Sequence, residues 1–241
     1  MNNNKLNLSI IFPIFNEEQR LPRTLSLLQN FSEKYTKKEI ELIFVNDGSD
    51  DNSKNLLNNF IKKNKKINSK IVNYKKNMGK GYAIKRGVLR SKNYWIAICD
   101  CDLSVHPDQI ITWFKENKIT SSNCAYYGSR EHQQSKINAN ALRVFFGYFF
   151  KKIIKFFFKI NLSDTQCGLK VFNKKYSKKV FKKLSIDGFA FDVQLTVLLM
   201  KKKIKIVELP LKWTHMPGSK LNLFLDIPKM LIEIIKIKII T

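Results

Sequence analysis

Residues 40–51 read Ile40-Glu41-Leu42-Ile43-Phe44-Val45-Asn46-Asp47-Gly48-Ser49-Asp50-Asp51: a short apolar, β-branched run that stops abruptly in polar turn formers. A run too short for a helix and apolar on both faces fits a strand covered on both sides of a sheet. The same sentence structure recurs along the first half of the chain. Strands are expected at Leu8–Phe15, Ile40–Asn46, Lys70–Tyr74, Tyr94–Cys99 and Cys124–Tyr127. Helical periodicity lies between them, over Arg23–Tyr35, Ser53–Lys65, Gly81–Ser91 and Asp108–Asn117. Strands alternating with helices predict βαβ units and a mainly parallel central sheet, an α/β fold of Rossmann-like type.

In open sheets of this kind, ligands bind beyond the carboxyl ends of the strands. Each expected strand ends in a polar cluster: Asn16-Glu17-Glu18, Asn46–Asp50, Asn77-Met78-Gly79-Lys80-Gly81, Asp100-Cys101-Asp102 and Gly128-Ser129-Arg130. Turn residues account for any one of these, but not readily for five along one sheet edge.

Asp100 and Asp102 stand two apart where a strand should end, so strand alternation predicts side chains on one face. Paired carboxylates repel unless a cation lies near them, and their oxygens suit Mg²⁺ or Mn²⁺. Asp47 can accept a hydrogen bond from a ring N–H of uracil or guanine, or serve a turn. Gly79-Lys80-Gly81 lacks dinucleotide-binding spacing; it reads either as backbone close to phosphate with Lys80 as a charge, or as a tight turn opening a helix.

The second half is less regular. Asn138–Lys159 predicts a long, aromatic, basic helix or helix pair, Asp164–Phe172 an extended segment, Phe191–Lys203 a helix and Lys205–Trp213 a strand. The chain divides into a domain over residues 1–220 and an amphipathic, membrane-associating extension over 221–241.

The formal net charge is +25, and Lys, Asn and Ile are abundant throughout. Such a charge suits a membrane surface, an anionic substrate or nucleic acid, and compositional drift in an AT-rich genome, which favours Lys, Asn and Ile, is the other source. A basic nucleic-acid-binding protein is disfavoured, since no binding module is recognisable and the aromatics concentrate in apolar runs. Arginine is scarce, confined to Arg20, Arg23, Arg86, Arg90, Arg130 and Arg143. Such an arginine suits sites that need its planar fork. Cys99, Cys101, Cys124 and Cys167 form no Cys-x-x-Cys pair and read as reduced, small buried residues.

The run Leu8–Phe12 is too short for a secretory signal, and Lys151, Lys152, Lys155 and Lys159 interrupt the most apolar stretch. The expectation is a protein that is not secreted and lies in the cytosol or peripherally on a membrane's cytosolic face. Phe145, Phe146, Phe149, Phe150 and Phe156–Phe158 among lysines, with the Ile-rich tail, suit the interfacial zone. A core helix with snorkelling lysines, or a homo-oligomer contact, is the other reading.

Taken together, the motifs Phe12–Glu18, Val45–Asp51, Asn77–Ala83, Asp100–Ser104, Gly128–Arg130, Asp164–Lys170, Phe191–Leu195 and Trp213…Gly218-Ser219-Lys220 resemble glycosyltransferase family 2. The later motifs are similar to its polyprenyl-phosphate branch, most of all to the dolichyl-phosphate β-glucosyltransferase subfamily. The resemblance covers roughly residues 6–223 and implies the nucleotide-binding GT-A fold. It implies an inverting, metal-dependent transfer of a hexose, favouring glucose from UDP-glucose, to a polyprenyl phosphate, with Mg²⁺ or Mn²⁺. GDP-mannose as donor, or a glycan hydroxyl as acceptor, is the alternative within the family.

By the same resemblance, Pro13, Phe15, Glu17, Asp47, Gly79, Lys80, Asp100 and Lys220 belong to the donor site, and Asp100 and Asp102 to the metal. Arg130, Arg143, Asp164 and Gln166 belong to the acceptor site, and Asp102, Arg130 and Asp192 to catalysis. Two departures stand out: Asn46 replaces a frequent Asp, and Gln194 a usual Glu. The second leaves Asp192 as the carboxylate of that motif.

Overall fold

The structure, a computed structural model, describes the backbone of residues 6–138, 141–216 and 223–241. Nine strands and eight helices follow in order among the described residues: β1 Leu8–Ile14, α1 Leu21–Ser32, β2 Ile40–Asp47, α2 Ser53–Lys63, β3 Ser69–Tyr74, α3 Lys80–Arg90, β4 Trp95–Ile98, α4 Asp108–Lys115, β5 Cys124–Gly128, β6 Lys136–Asn138, α5 Ala141–Phe158, β7 Lys170–Asn173, α6 Lys174–Lys182, α7 Phe191–Lys201, β8 Lys205–Leu209, β9 Lys212–Thr214 and α8 Leu223–Ile240.

Seven strands form one sheet in the order β3-β2-β1-β4-β7-β5-β8, and β6 and β9 pair separately. The chain steps outward from β1 to β2 and β3, then returns to place β4 on the other side of β1. The direction of winding therefore reverses between β1 and β4, which is where such sheets bind ligands. Alternation along the central strands fills both faces. Ile10, Phe12, Leu42 and Phe44 enter one core with α1, α2 and α4, while Ile11, Ile43 and Val45 enter the other with α3 and α5–α8.

The sheet is mainly parallel, as expected, with β7 alone antiparallel between β4 and β5 among the described strands; two segments depart from expectation. Within Asp164–Phe172, expected to be extended, strand begins only at Lys170. Residues 164–169 form a loop instead, because the Asp164 carboxylate gathers Arg130 and the Gln166 N–H rather than leaving the backbone free to pair. The strand expected over Lys205–Trp213 breaks at Pro210, which has no N–H to give to a ladder, and its second half becomes β9. Helix α6 was not evident from the sequence: its lysines swamp a narrow buried stripe of Tyr176, Ser177, Val180 and Phe181.

Of the 221–241 segment, Leu223–Ile240 form helix α8. It buries Met230, Ile234 and Ile237 in the same core as α5 and α7, so it packs on the domain rather than trailing from it.

Candidate active site

A cleft of about 910 Å³ opens at the carboxyl ends of the strands. Its floor comes from the loops after β1, β2, β3 and β4, as the polar clusters foretold. The first two loops are stitched together. Asn16, at φ 53°, receives the Asp50 N–H at Oδ1 (3.1 Å) and donates its own N–H to Ser49 Oγ (3.0 Å). The Glu17 N–H donates to Ser53 Oγ at 2.8 Å. Asn46 Oδ1 accepts from the Ser49 N–H at 3.3 Å, so an amide suffices to close this turn.

Asp47 ends β2 and binds the loop after β3: its carboxylate accepts from the N–H groups of Met78 (2.8 Å) and Gly79 (2.9 Å) and from Asn77 Nδ2 (3.1 Å). Burial raises its pKa despite those bonds. The N–H groups of both Gly79 and Gly81 are thus taken within the protein. Gly81 and Tyr82 give their N–H groups to the Asp187 carbonyl (2.7 and 3.2 Å), and a Cβ at Gly79, at φ 103°, would sit 2.4 Å from that oxygen. This loop offers its charge to the cleft through the Lys80 side chain.

Asp100 and Asp102 both face the cleft, but strand alternation is not the reason. β4 stops at Ile98, and Asp100–Leu103 is a turn closed by the Leu103 N–H on the Asp100 carbonyl (3.1 Å). Each carboxylate meets its own cation: Lys80 Nζ is 2.7 Å from Asp100 Oδ1, and Arg20 Nη1 is 3.8 Å from Asp102 Oδ2. Burial pushes Asp100 up, yet Lys80, with Lys170 and Arg130 behind it, holds it below the usual carboxylate range. Arg20 also grips Glu17, its Nε donating to Oε2 at 2.6 Å. Arg20 was not singled out as a site residue; its scarcity in a lysine-rich chain was the available signal.

Arg130 grips Asp164 with a fork, Nε to Oδ2 at 2.7 Å and Nη2 to Oδ1 at 3.0 Å. Burial works to raise Asp164, and the guanidinium outweighs it. The fork uses two of five N–H donors, leaving the rest for an anion. Gln166 lines the cleft with Nε2 buried and without a hydrogen-bond partner among the described residues, a donor suited to an oxygen-rich ligand.

Asp192, in the first turn of α7, is buried against Lys170, with Nζ 2.6 Å from Oδ1. Lys170 also donates to the Cys167 carbonyl (2.6 Å) and lies 4.9 Å from the Tyr127 ring centroid. Burial raises Asp192, with Lys170 and Lys80 opposing. Nothing local in the sequence ties Lys170 to a residue 22 positions on, so its role emerges only from the fold. Gln194 faces away from the chemistry: its Oε1 accepts from the N–H groups of Ser185 and Ile186 (both 2.9 Å) and its Nε2 donates to Ser185 Oγ (2.8 Å). Pro13, Phe15 and Glu17 line the cleft. The side chain of Arg143, and all of Lys220, lie outside the described residues.

From this charged floor the cleft runs on between α5 and α8, where Phe150, Ile153 and Ile154 face Ile227, Met230 and Leu231. One end is ionic and the other apolar.

Residues 9–181 match the glycosyl transferase family 2 profile. The chain belongs to that family and is a glycosyltransferase. It is similar to dolichyl-phosphate β-glucosyltransferases: that of Dictyostelium discoideum is 32% identical over 247 residues, covering 96% of this chain and 73% of that protein. Those of Saccharomyces cerevisiae and Homo sapiens are each 30% identical, covering 96% and 89% of this chain and 74% and 69% of theirs. Among solved structures, glucosyl-3-phosphoglycerate synthase from Mycobacterium tuberculosis in complex with UDP has a TM-score of 0.65 at 13% identity, over 96% of this chain and 78% of that one. The mannosyltransferase PcManGT from Pyrobaculum calidifontis, in complex with GDP-Man and Mn²⁺, has a TM-score of 0.63 at 12% identity, over 90% and 59%. At these identities the structures establish the GT-A fold.

Proposed function

We propose that the chain transfers glucose from UDP-glucose to a dolichyl-type polyprenyl phosphate, with inversion, at the cytosolic face of a membrane. The observation that carries this reading is the two-ended cleft: a charged floor continuous with an apolar wall between α5 and α8 matches a phosphate on an isoprenoid tail. The names of the similar curated proteins support the same donor and acceptor.

Asp100 and Asp102 form a hard-oxygen pair fitted to Mg²⁺ or Mn²⁺, with Lys80 and Arg20 as resident counter-charges. A cation held there would supply positive charge to the leaving diphosphate. Asp47, Glu17, Pro13 and Phe15 serve the nucleoside end of the floor and Lys80 and Gly79 its diphosphate end, and Lys220 is assigned to the diphosphate by the family resemblance alone. Arg130, fixed by Asp164, presents its remaining donors to the acceptor phosphate, with Gln166 lining the same cleft; Arg143 is assigned to that phosphate by the family resemblance alone.

An acceptor phosphate oxygen attacks the anomeric carbon while the bond from that carbon to the diphosphate oxygen breaks, and UDP departs. A phosphate monoester is largely dianionic near neutrality, with a second pKa of about 6, so no strong base is required. Asp192 accordingly serves to hold Lys170 rather than to take a proton. The protein's work is alignment and charge stabilisation.

Among the described residues no helix is long and apolar enough to cross a membrane. Membrane contact falls to the outer faces of α5 and α8, where Phe156, Ile232, Ile235 and Ile239 are exposed among Lys152, Lys155, Lys229 and Lys236. The test is transfer of radiolabelled sugar from UDP-glucose or GDP-mannose to a short polyprenyl phosphate with Mg²⁺ or Mn²⁺, beside Asp102→Asn. Organic-extractable label from UDP-glucose, abolished by chelator and by the variant, is the expected result. Label from GDP-mannose changes the donor. Binding or hydrolysis of a donor without lipid labelling overturns the acceptor.

A further inference from the structure

Helix α7 carries Asp192 in its first turn, yet its N-cap residue is Ala190, which has no side-chain acceptor to satisfy the helix start. The acceptor comes from another helix. Glu233 of α8 reaches across so that its Oε2 accepts the Ala190 N–H at 3.0 Å. Its other oxygen lies against Gly188, two residues earlier: a Cβ there would sit 2.2 Å from Oε1. A carboxylate at a helix N-terminus is also favoured by the dipole.

The segment that Glu233 clasps is the one that seats α3. The Asp187 carbonyl receives the N–H groups of Gly81 and Tyr82, and the Ile186 carbonyl would lie 2.5 Å from a Cβ at Gly81. Between Gly79 and Gly81 stands Lys80, whose ammonium meets Asp100 at 2.7 Å. Gln194 holds the other end of the segment through Ser185 and Ile186. Hydrogen bonds joined by the backbone of 186–190 thus connect α8 to the two places where charge is set in the cleft, Lys80 and Asp192. The outer face of the same helix bears the exposed Ile232, Ile235 and Ile239.

We propose that Glu233 is a positioning residue that couples the seating of α8 to the placement of Lys80 and Asp192. Its catalytic consequence rests on the proposed role of Lys80 and Asp100 at the donor; the coupling itself does not.

The experiment is amide hydrogen exchange on the full chain without ligands, for the wild type, Glu233→Ala and Glu233→Gln, followed by transfer kinetics with a short, water-soluble polyprenyl phosphate. Glu233→Ala is expected to speed exchange about tenfold at Ala190 and also at Gly81 and Tyr82, with β1 and β2 unchanged. Glu233→Gln, which keeps one acceptor oxygen, should fall nearer the wild type. In the assay, Glu233→Ala should raise KM for UDP-glucose and lower kcat/KM about tenfold, on the scale by which slight misplacement slows reactions. Faster exchange confined to Ala190 would overturn the coupling. So would a uniform rise across the whole domain, which marks general loosening. If the exchange pattern holds while the wild type transfers no sugar, the transferase assignment fails and the coupling stands.

Discussion

A methyl group at Gly168 would lie 2.1 Å from Asp100 Oδ2, so the space a side chain would take there is filled by the Asp100 carboxylate. The backbone at Gly168 is not in the left-handed region, and Ala could adopt it without strain. Gly168→Ala should therefore act on the position of Asp100 rather than on the local chain. The expected result is a ~10²-fold fall in kcat/KM from misplacing a reacting group. The stability loss should stay within about 1–3 kcal/mol of overpacking. Initial rates beside a thermal melt separate the two.

That contact shows what a sequence can and cannot carry. The central strands and the loops after them are legible because alternation, strand length and turn chemistry are local. Gly168 is visible as part of a motif, but its reason is a carboxylate 68 positions earlier. The antiparallel β7 hides because a short buried strand reads alike in either direction. Lys170 with Asp192, Arg20 with Asp102 and Glu233 with Ala190 are pairings made by topology. A lysine-rich background conceals them further, since one buried lysine looks like any other.

The Lys170–Asp192 pair is fully buried, with side chains 1% and 5% exposed. Removing one partner strands a charge, which costs about 3–5 kcal/mol, whereas replacing both by apolar residues of similar volume is often close to neutral. Lys170→Met alone and Asp192→Leu alone should each destabilise strongly, and the double variant should recover much of the loss. Urea unfolding of the four proteins gives the coupling directly. Additive losses would show that the pair is not a unit.

Arg130→Lys keeps the charge but loses the fork on Asp164. One ammonium cannot hold both carboxylate oxygens and still present a planar edge to an anion. The expected effect is an increase of about tenfold in KM for the lipid phosphate, with KM for the nucleotide sugar little changed. Steady-state kinetics varying each substrate in turn will distinguish this from a general loss.

Acid should destabilise the protein through identifiable carboxylates. Asp164, Asp100 and Glu41 are all held below their ordinary values: burial opposes, but Arg130, Lys80 and Lys70 respectively prevail. Their contribution is present above the unfolded pKa of about 4 and is lost as pH falls through the lower folded values. Asp192 works the other way. Burial raises it, so its ionised form burdens the fold, and protonation on acidification relieves that burden. Melting temperature should thus fall steeply below about pH 4. Asp164→Asn should be less stable near neutrality and show a shallower acid limb.

Ile232, Ile235 and Ile239 recur at helical spacing on one exposed face of α8, and Phe156 of α5 is 82% exposed. An apolar stripe flanked by lysines loses favourable burial in water and gains it at an anionic bilayer, with each nearby lysine adding about 1 kcal/mol. Replacing Phe156, Ile235 and Ile239 together by Ser should release the protein from phosphatidylserine vesicles in a flotation assay. Transfer to vesicle-embedded polyprenyl phosphate should fall with it, while transfer to a short soluble acceptor should persist, because none of the three lines the cleft. Equal loss with both acceptors would place the stripe in the fold rather than on the membrane, and unchanged flotation would move the lipid contact elsewhere.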